Sequence, residues 1–137
     1  MARNHRIIAK AILSSKEQVL LIRRSDTDPR RPLQWDLPGG LVEEAEDFSE
    51  TVSREIKEET GLEVPAAELE LVYTKTEMRP EGNVIFLFFA GSAYKEQVKL
   101  SYEHDMHEWL PPQEALERIE YPIHRELFEY VIKHNLI

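Results

Sequence analysis

Apolar runs separated by short polar breaks mark out the elements of this chain. His5 to Leu13 and Gln18 to Arg23 are rich in Ile, Leu and Val, and the Ser14-Ser15-Lys16-Glu17 break between them predicts an antiparallel hairpin. Ser25 to Gln34 carries Asp26, Asp28, Pro29 and Pro32 and reads as a loop. Trp35 to Gly40 is expected to be a short strand entering a glycine turn, with Leu41-Val42 leaving it as a second short strand. A helix over 48 to 60 follows, with Asp47 as N-cap, Glu50 as its capping-box partner and Gly61 as the residue that stops it. Leu69 to Thr76 and Asn83 to Ala90 read as strands. The second is so continuously apolar (Val84 to Phe89) that it should be buried on both faces, in the centre of a sheet. Met106 to Leu110 adds a short strand, Pro112 to Arg118 a short helix, and Ile123 to His134 a final helix with Leu127, Phe128, Val131 and Ile132 inward.

The helix over 48 to 60 carries an anomaly. On a wheel of about 100° per residue with Phe48 at the origin, Val52 and Ile56 define an apolar stripe, and Glu55 and Glu59 fall beside it rather than opposite. Charge runs such as Arg54 to Glu59 are usually solvated, salt-bridged surface. Here two carboxylates point toward the core boundary, where they would repel each other and shift toward protonation unless a cation neutralised them. Converging oxygen ligands suit magnesium or manganese rather than a soft metal. Arg54 stands one turn before Glu58 and can hold that side chain in place.

Composition narrows the remaining choices. The 137 residues suit one compact domain. With no cysteine, the chain has no disulfide framework, thiolate metal site or cysteine nucleophile, and a reduced cytoplasmic setting is the simplest expectation. No segment approaches the roughly 20 apolar residues of a membrane span, so a soluble protein is expected. The formal charge of −9 argues against a partner such as a nucleic-acid backbone. It does not argue against small anions, because a bound divalent ion reverses the local field.

These acidic residues belong to a longer pattern that resembles the Nudix box of the MutT-like hydrolases, G-x5-E-x7-R-E-U-x-E-E-x-G-U, where U is a bulky aliphatic residue. Gly40, Glu46, Arg54, Glu55, Ile56, Glu58, Glu59, Gly61 and Leu62 fill every specified position, and Trp35 to Gly40 resembles the usual lead-in. The resemblance implies an α/β/α sandwich around a central mixed sheet, with residues 1–137 as a single domain of this type. It also implies a divalent-metal-dependent pyrophosphohydrolase that cleaves a nucleoside diphosphate linked to another moiety, by attack of water on phosphorus.

By the same resemblance, Glu55, Glu58 and Glu59 are expected as ligands of Mg2+ or Mn2+, with Gly40 allowing a close backbone approach to metal or phosphate. Glu46 is expected to be structural or a weaker partner, and Arg54 to orient the glutamates. Glu103 resembles a glutamate that many members send to the metal or the attacking water, although Asp105 or Glu108 can fill that role. The expected catalytic set is Glu58, Glu59, Glu103 and Arg54. For the substrate, Arg23 and Arg31 are candidate phosphate contacts, with Arg24 and Arg30 beside them. Trp35 either stacks on a base or packs in the core. A nucleoside triphosphate or a nucleotide sugar is the expected substrate; an inert nucleotide-sensing module of the same fold is the alternative. An EF-hand-type calcium domain is excluded by the lack of its ligand spacing. Pairing into a homodimer, as in many relatives, is left open by the sequence.

Overall fold

In the computed structural model, described for residues 5–94 and 98–137, one seven-stranded mixed sheet carries helices on both faces. The strands are β1 (Arg6–Ser15), β2 (Gln18–Arg24), β3 (Trp35–Asp36), β4 (Gly39–Leu41), β5 (Glu70–Arg79), β6 (Gly82–Ser92) and β7 (His104–Leu110). The helices are α1 (Phe48–Thr60), α2 (Pro112–Arg118) and α3 (Pro122–Lys133), with a 3-10 turn at Ala66–Glu68 that the polar pattern did not announce. No helix among the described residues is long and apolar enough to cross a membrane.

Strand alternation builds the layers. Ala9, Ala11 and Leu13 of β1, Leu20 and Ile22 of β2, and Leu87 and Phe89 of β6 pack with Val52 and Ile56 of α1. Their neighbours Ile12, Val19, Leu21, Phe86 and Phe88 pack on the other face with Leu116, Leu127, Phe128 and Val131 from α2 and α3. Period-two strands thus feed two cores, one on each side of the sheet. As the apolar run predicts, β6 is central, parallel to β1 on one side and antiparallel to β5 on the other.

Three local expectations need correction. The hairpin turn is only Lys16-Glu17, both at positive φ (48° and 66°), and Ser14 and Ser15 remain in the strand. Beyond Ser14↔Val19 the two strands of that hairpin part. Residues 35–41 enter the fork, with β3 pairing β2, β4 pairing β1, and Ala11 N–H donating to the Pro38 carbonyl at 2.9 Å. Gly39 and Gly40 therefore lie in β4 rather than in a turn. Gly39 is required there, because at φ 145° an added Cβ would sit 2.2 Å from the Ala9 carbonyl oxygen. Asp47 occupies the N-cap position of α1, but its side chain makes no cap hydrogen bond; it accepts from the Ser49 hydroxyl instead, at 2.7 Å. Gly61 closes the helix as expected, with φ 75° and its N–H donating to the Lys57 carbonyl.

Candidate active site

The fork places β4 against the inward face of α1, and two glutamates meet it there. Glu59 is 6% exposed and accepts a 2.8 Å hydrogen bond from the Gly39 N–H. Burial, with Glu55 and Asp36 acting in the same direction, raises its carboxyl to about 8 despite that bond and the nearby Lys10. Glu55 lies over Gly40, whose missing Cβ would come within 3.0 Å of the Glu55 carboxylate carbon. Its carboxyl is also raised, chiefly by burial and further by Glu58 and Glu103, with Arg54 opposing.

Arg54 organises the outer edge of this array. Its Nε donates to Glu46 Oε2 at 2.8 Å, while Nη1 reaches Glu55 and both oxygens of Glu58 at 3.2 Å. The Arg54 and Thr51 side chains donating to Glu46 lower its carboxyl to about 2. Glu46 thus anchors Arg54, whose guanidinium contacts three of the box glutamates.

On the other side of Gly39, a buried charged cluster continues the site. Asp36, only 1% exposed, receives Lys10 Nζ at 2.6 Å and Arg24 Nη1 at 2.7 Å, with Arg31 at 3.7 Å and His124 Nδ1 at 3.6 Å. Burial alone would raise the Asp36 carboxyl, but Lys10 and Arg31 together hold it well below the usual carboxylate range. His124 is fully buried and kept neutral, lowered to about 3 by burial and by Lys10. A cavity of about 240 Å³ joins the two halves, lined among others by Glu59, Gly40, Asp36, Arg31, Glu103 and His104.

A buried glutamate bonded to a glycine strand, a second over the next glycine, and an arginine tying the remaining box acids together form the arrangement that the motif implies. The NUDIX domain family model matches residues 3–131. The chain belongs to the Nudix family. It is 37% identical over 80 residues to a putative 8-oxo-dGTP diphosphatase of Bacillus subtilis, covering 58% of this chain and 50% of the relative. It is 39% identical over 83 residues to an ADP-ribose pyrophosphatase of Methanocaldococcus jannaschii, covering 61% and 48%. The matched segment thus spans about half the length of both relatives. The crystal structure of the MutT protein from Methanosarcina mazei Go1 superposes with a TM-score of 0.83 at 31% identity, over 98% of each chain.

Within this Nudix domain the box residues are distributed unequally. Glu59 and Glu55 are inward and adjacent to Gly39 and Gly40. The Glu58 side chain is 56% exposed and is drawn to Arg54. Among the described residues no three acidic or imidazole side chains stand close enough together to form a ready metal cage. The donor chemistry nevertheless fits a hard divalent cation. Two carboxylates are driven toward protonation by burial and by their neighbours, an energetic cost that a cation would relieve.

Of the substrate candidates, Arg31 lines the cavity. Arg23 is instead tied to Asp105 by two hydrogen bonds of 2.8 and 2.9 Å, a pairing that also occupies the carboxylate considered as an alternative to Glu103. Trp35 packs against the α2/α3 core, with the Arg118 guanidinium 5.2 Å from its ring centre. Glu108 pairs with the same arginine. Glu103 reaches the cavity because its backbone carbonyl accepts from Ser25 N–H and fixes the turn before β7. His107 is exposed, whereas His104 is buried and its imidazole is lowered to about 4 by burial. Sequence reasoning missed Lys10, Asp36 and His124, and named Arg24 only as an arginine near a phosphate, not as a partner of Asp36. Their available signals were a lysine amid an apolar strand and a histidine beside the inward stripe of α3.

Proposed function

We propose that this Nudix domain is a divalent-metal-dependent pyrophosphohydrolase acting on a nucleoside diphosphate linked to another moiety, with a nucleoside triphosphate or nucleotide sugar as the substrate class. The observation that carries the reading is the pair Glu55 and Glu59 held against Gly39-Gly40 at one end of a cavity whose other walls supply Arg24, Arg30 and Arg31. The relatives named for 8-oxo-dGTP and ADP-ribose chemistry support that class.

Glu55, Glu58 and Glu59, with the backbone at Gly40, are the residues that would hold Mg2+ or Mn2+. The ion supplies charge neutralisation at phosphate oxygens and a more acidic bound water. Glu103, exposed and lining the cavity, would accept the proton of the attacking water. Arg31 meets phosphate oxygens as a charge-assisted donor. Arg54 orients the outer acids, donating to Glu46 and to both oxygens of Glu58. The chain acts as a single domain in a cytoplasmic setting.

The test is a panel of nucleoside triphosphates, dinucleotides and nucleotide sugars incubated with magnesium or manganese, with products identified by mass. Cleavage is expected only with the ion present, giving a nucleoside monophosphate and phosphorylated partner. Glu58→Gln is expected to lower kcat by about 100-fold or more without unfolding the protein, since its side chain is exposed. Metal-independent turnover, or wild-type rates in that variant, would refute the assignment.

A further inference from the structure

We propose that the cavity beside the Nudix site is a second anion subsite, which binds a phosphate borne on the organic moiety lying beyond the scissile diphosphate. The inference rests on the proposed function for the identity of the scissile group, but the subsite itself is visible independently of it. A cavity of about 400 Å³ opens next to the one that holds Glu59, sharing with it Arg6, Ile8, Lys10, Arg30 and Arg31. It contains none of the box acids.

Its walls follow from the fold. Arg6, Ile8 and Lys10 alternate along β1 and so face the same side of the sheet, where Ile8 is in register with Phe86 of β6. Arg79 and Glu81 come from the β5–β6 hairpin, Tyr121 from the residue before α3, and Arg30 and Arg31 from the loop before β3. The floor is therefore apolar and aromatic, and the rim is cationic.

The charge balance is the deciding feature. Five cationic side chains and one acidic one line this cavity, in a chain whose formal charge is −9. Three of the cations have acidic partners, Lys10 and, at the longer distance of 3.7 Å, Arg31 in Asp36, and Arg79 in Glu77. Among the described residues, the side chains of Arg6 and Arg30 have no assigned acidic partner. Arg31 is fixed rather than free. Its guanidinium lies 3.9 Å from the centre of the Tyr121 ring, and its Nη1 is buried without a hydrogen-bond partner. A pre-positioned guanidinium with an unused donor, flanked by two further arginines, recognises a dianion by charge-assisted hydrogen bonds. The Ile8, Phe86 and Tyr121 floor adds a surface for a sugar or base, which bare phosphate does not need. The substrate class is thereby narrowed to phosphorylated nucleotide conjugates: compounds carrying one phosphate group more than the diphosphate being cleaved.

The test compares matched pairs by calorimetry in EDTA, so that binding is read without metal or turnover. The pairs are ADP-ribose with its 2′-phosphate, dephospho-coenzyme A with coenzyme A, and GDP with guanosine 3′-monophosphate 5′-diphosphate. At least one phosphorylated member is expected to bind about tenfold more tightly than its partner. The Arg6→Ala/Arg30→Ala double variant is expected to reduce that ratio to below about threefold, and Arg30→Lys alone to retain part of it. Both arginines are exposed, so unchanged melting temperatures will show that the fold persists. The proposal is overturned if no pair differs by more than about twofold, if no member binds measurably, or if the ratio survives in the double variant. Competition by inorganic phosphate equal to that of the phosphorylated compound would also overturn it, in favour of a free-phosphate site. Hydrolysis is scored separately with magnesium; a lack of turnover across the panel would refute the enzymatic reading while leaving the affinity ratio readable.

Discussion

The surroundings of Glu59 oppose its ionisation, and replacing it by Gln turns that opposition into a measurable stability difference. Its carboxyl moves from the ordinary value of 4.5 to about 8 on folding, chiefly through burial. Between those pH values the folded protein retains a proton that the unfolded chain has released. The contribution of Glu59 to stability is therefore greatest below pH 4.5, falls as pH rises toward about 8, and is flat above it. Each pH unit in that window is worth about 1.4 kcal/mol, so the loss is roughly 3 kcal/mol by pH 7 and approaches about 5 kcal/mol above pH 8. Gln preserves the acceptor for the Gly39 N–H and carries no charge. In EDTA, Glu59→Gln should thus match wild type near pH 4.5 and exceed it by roughly 3 kcal/mol at pH 7. For 137 residues that corresponds to a melting temperature about 10 °C higher. Urea or thermal unfolding of both proteins from pH 4.5 to 8.5 provides the measurement; the pairwise difference cancels the other titrating groups, His104 and His124 among them. Magnesium should then stabilise wild type, by about 2.7 kcal/mol at one hundred times its Kd, and stabilise the variant much less. A difference that does not change with pH, or a variant less stable than wild type at pH 8, would refute the reasoning.

Two further outcomes follow from the buried backbone and charge contacts. Asp36→Asn leaves Lys10 and Arg24 buried without their carboxylate and should destabilise the protein by about 3–5 kcal/mol in urea titrations; a loss under about 1 kcal/mol would mean that the cluster is not electrostatically coupled. Gly39→Ala forces a Cβ against the Ala9 carbonyl and should cost at least about 2 kcal/mol and weaken magnesium-induced stabilisation, because the N–H that holds Glu59 shifts with the strand; an unchanged melting temperature would contradict the close approach.

Much of this architecture was legible in residue order, for reasons that are local. The apolar run from Val84 to Phe89 announced a central strand because a strand buried on both faces has no room for polar side chains. The α1 wheel placed Glu55 and Glu59 beside Val52 and Ile56 because helical periodicity acts over a single turn, and the structure buries Glu59 on that face. Arg54 was readable as an organiser of Glu58 for the same reason, being four residues away. The capping role of Asp47 was not fulfilled: its carboxylate takes the Ser49 hydroxyl instead. Pattern rules do not resolve competition between two nearby donors.

The sequence by itself determined the order of strands and helices, the acidic face of α1 and the family motif, since each depends on spacing along one element or on a contiguous pattern. That helices cover both faces of the sheet was implied only by the family resemblance. Only the tertiary structure decided that β1 and β2 part to admit residues 35–41, that Asp36 becomes the buried partner of Lys10 and Arg24, and that Arg23 is consumed by Asp105 while Arg31 is left for the cavity. Those outcomes join residues 12 to 82 positions apart. Which charges meet across such separations is set by chain topology and by the requirement that a buried charge find a partner, and neither is written in the local order of residues.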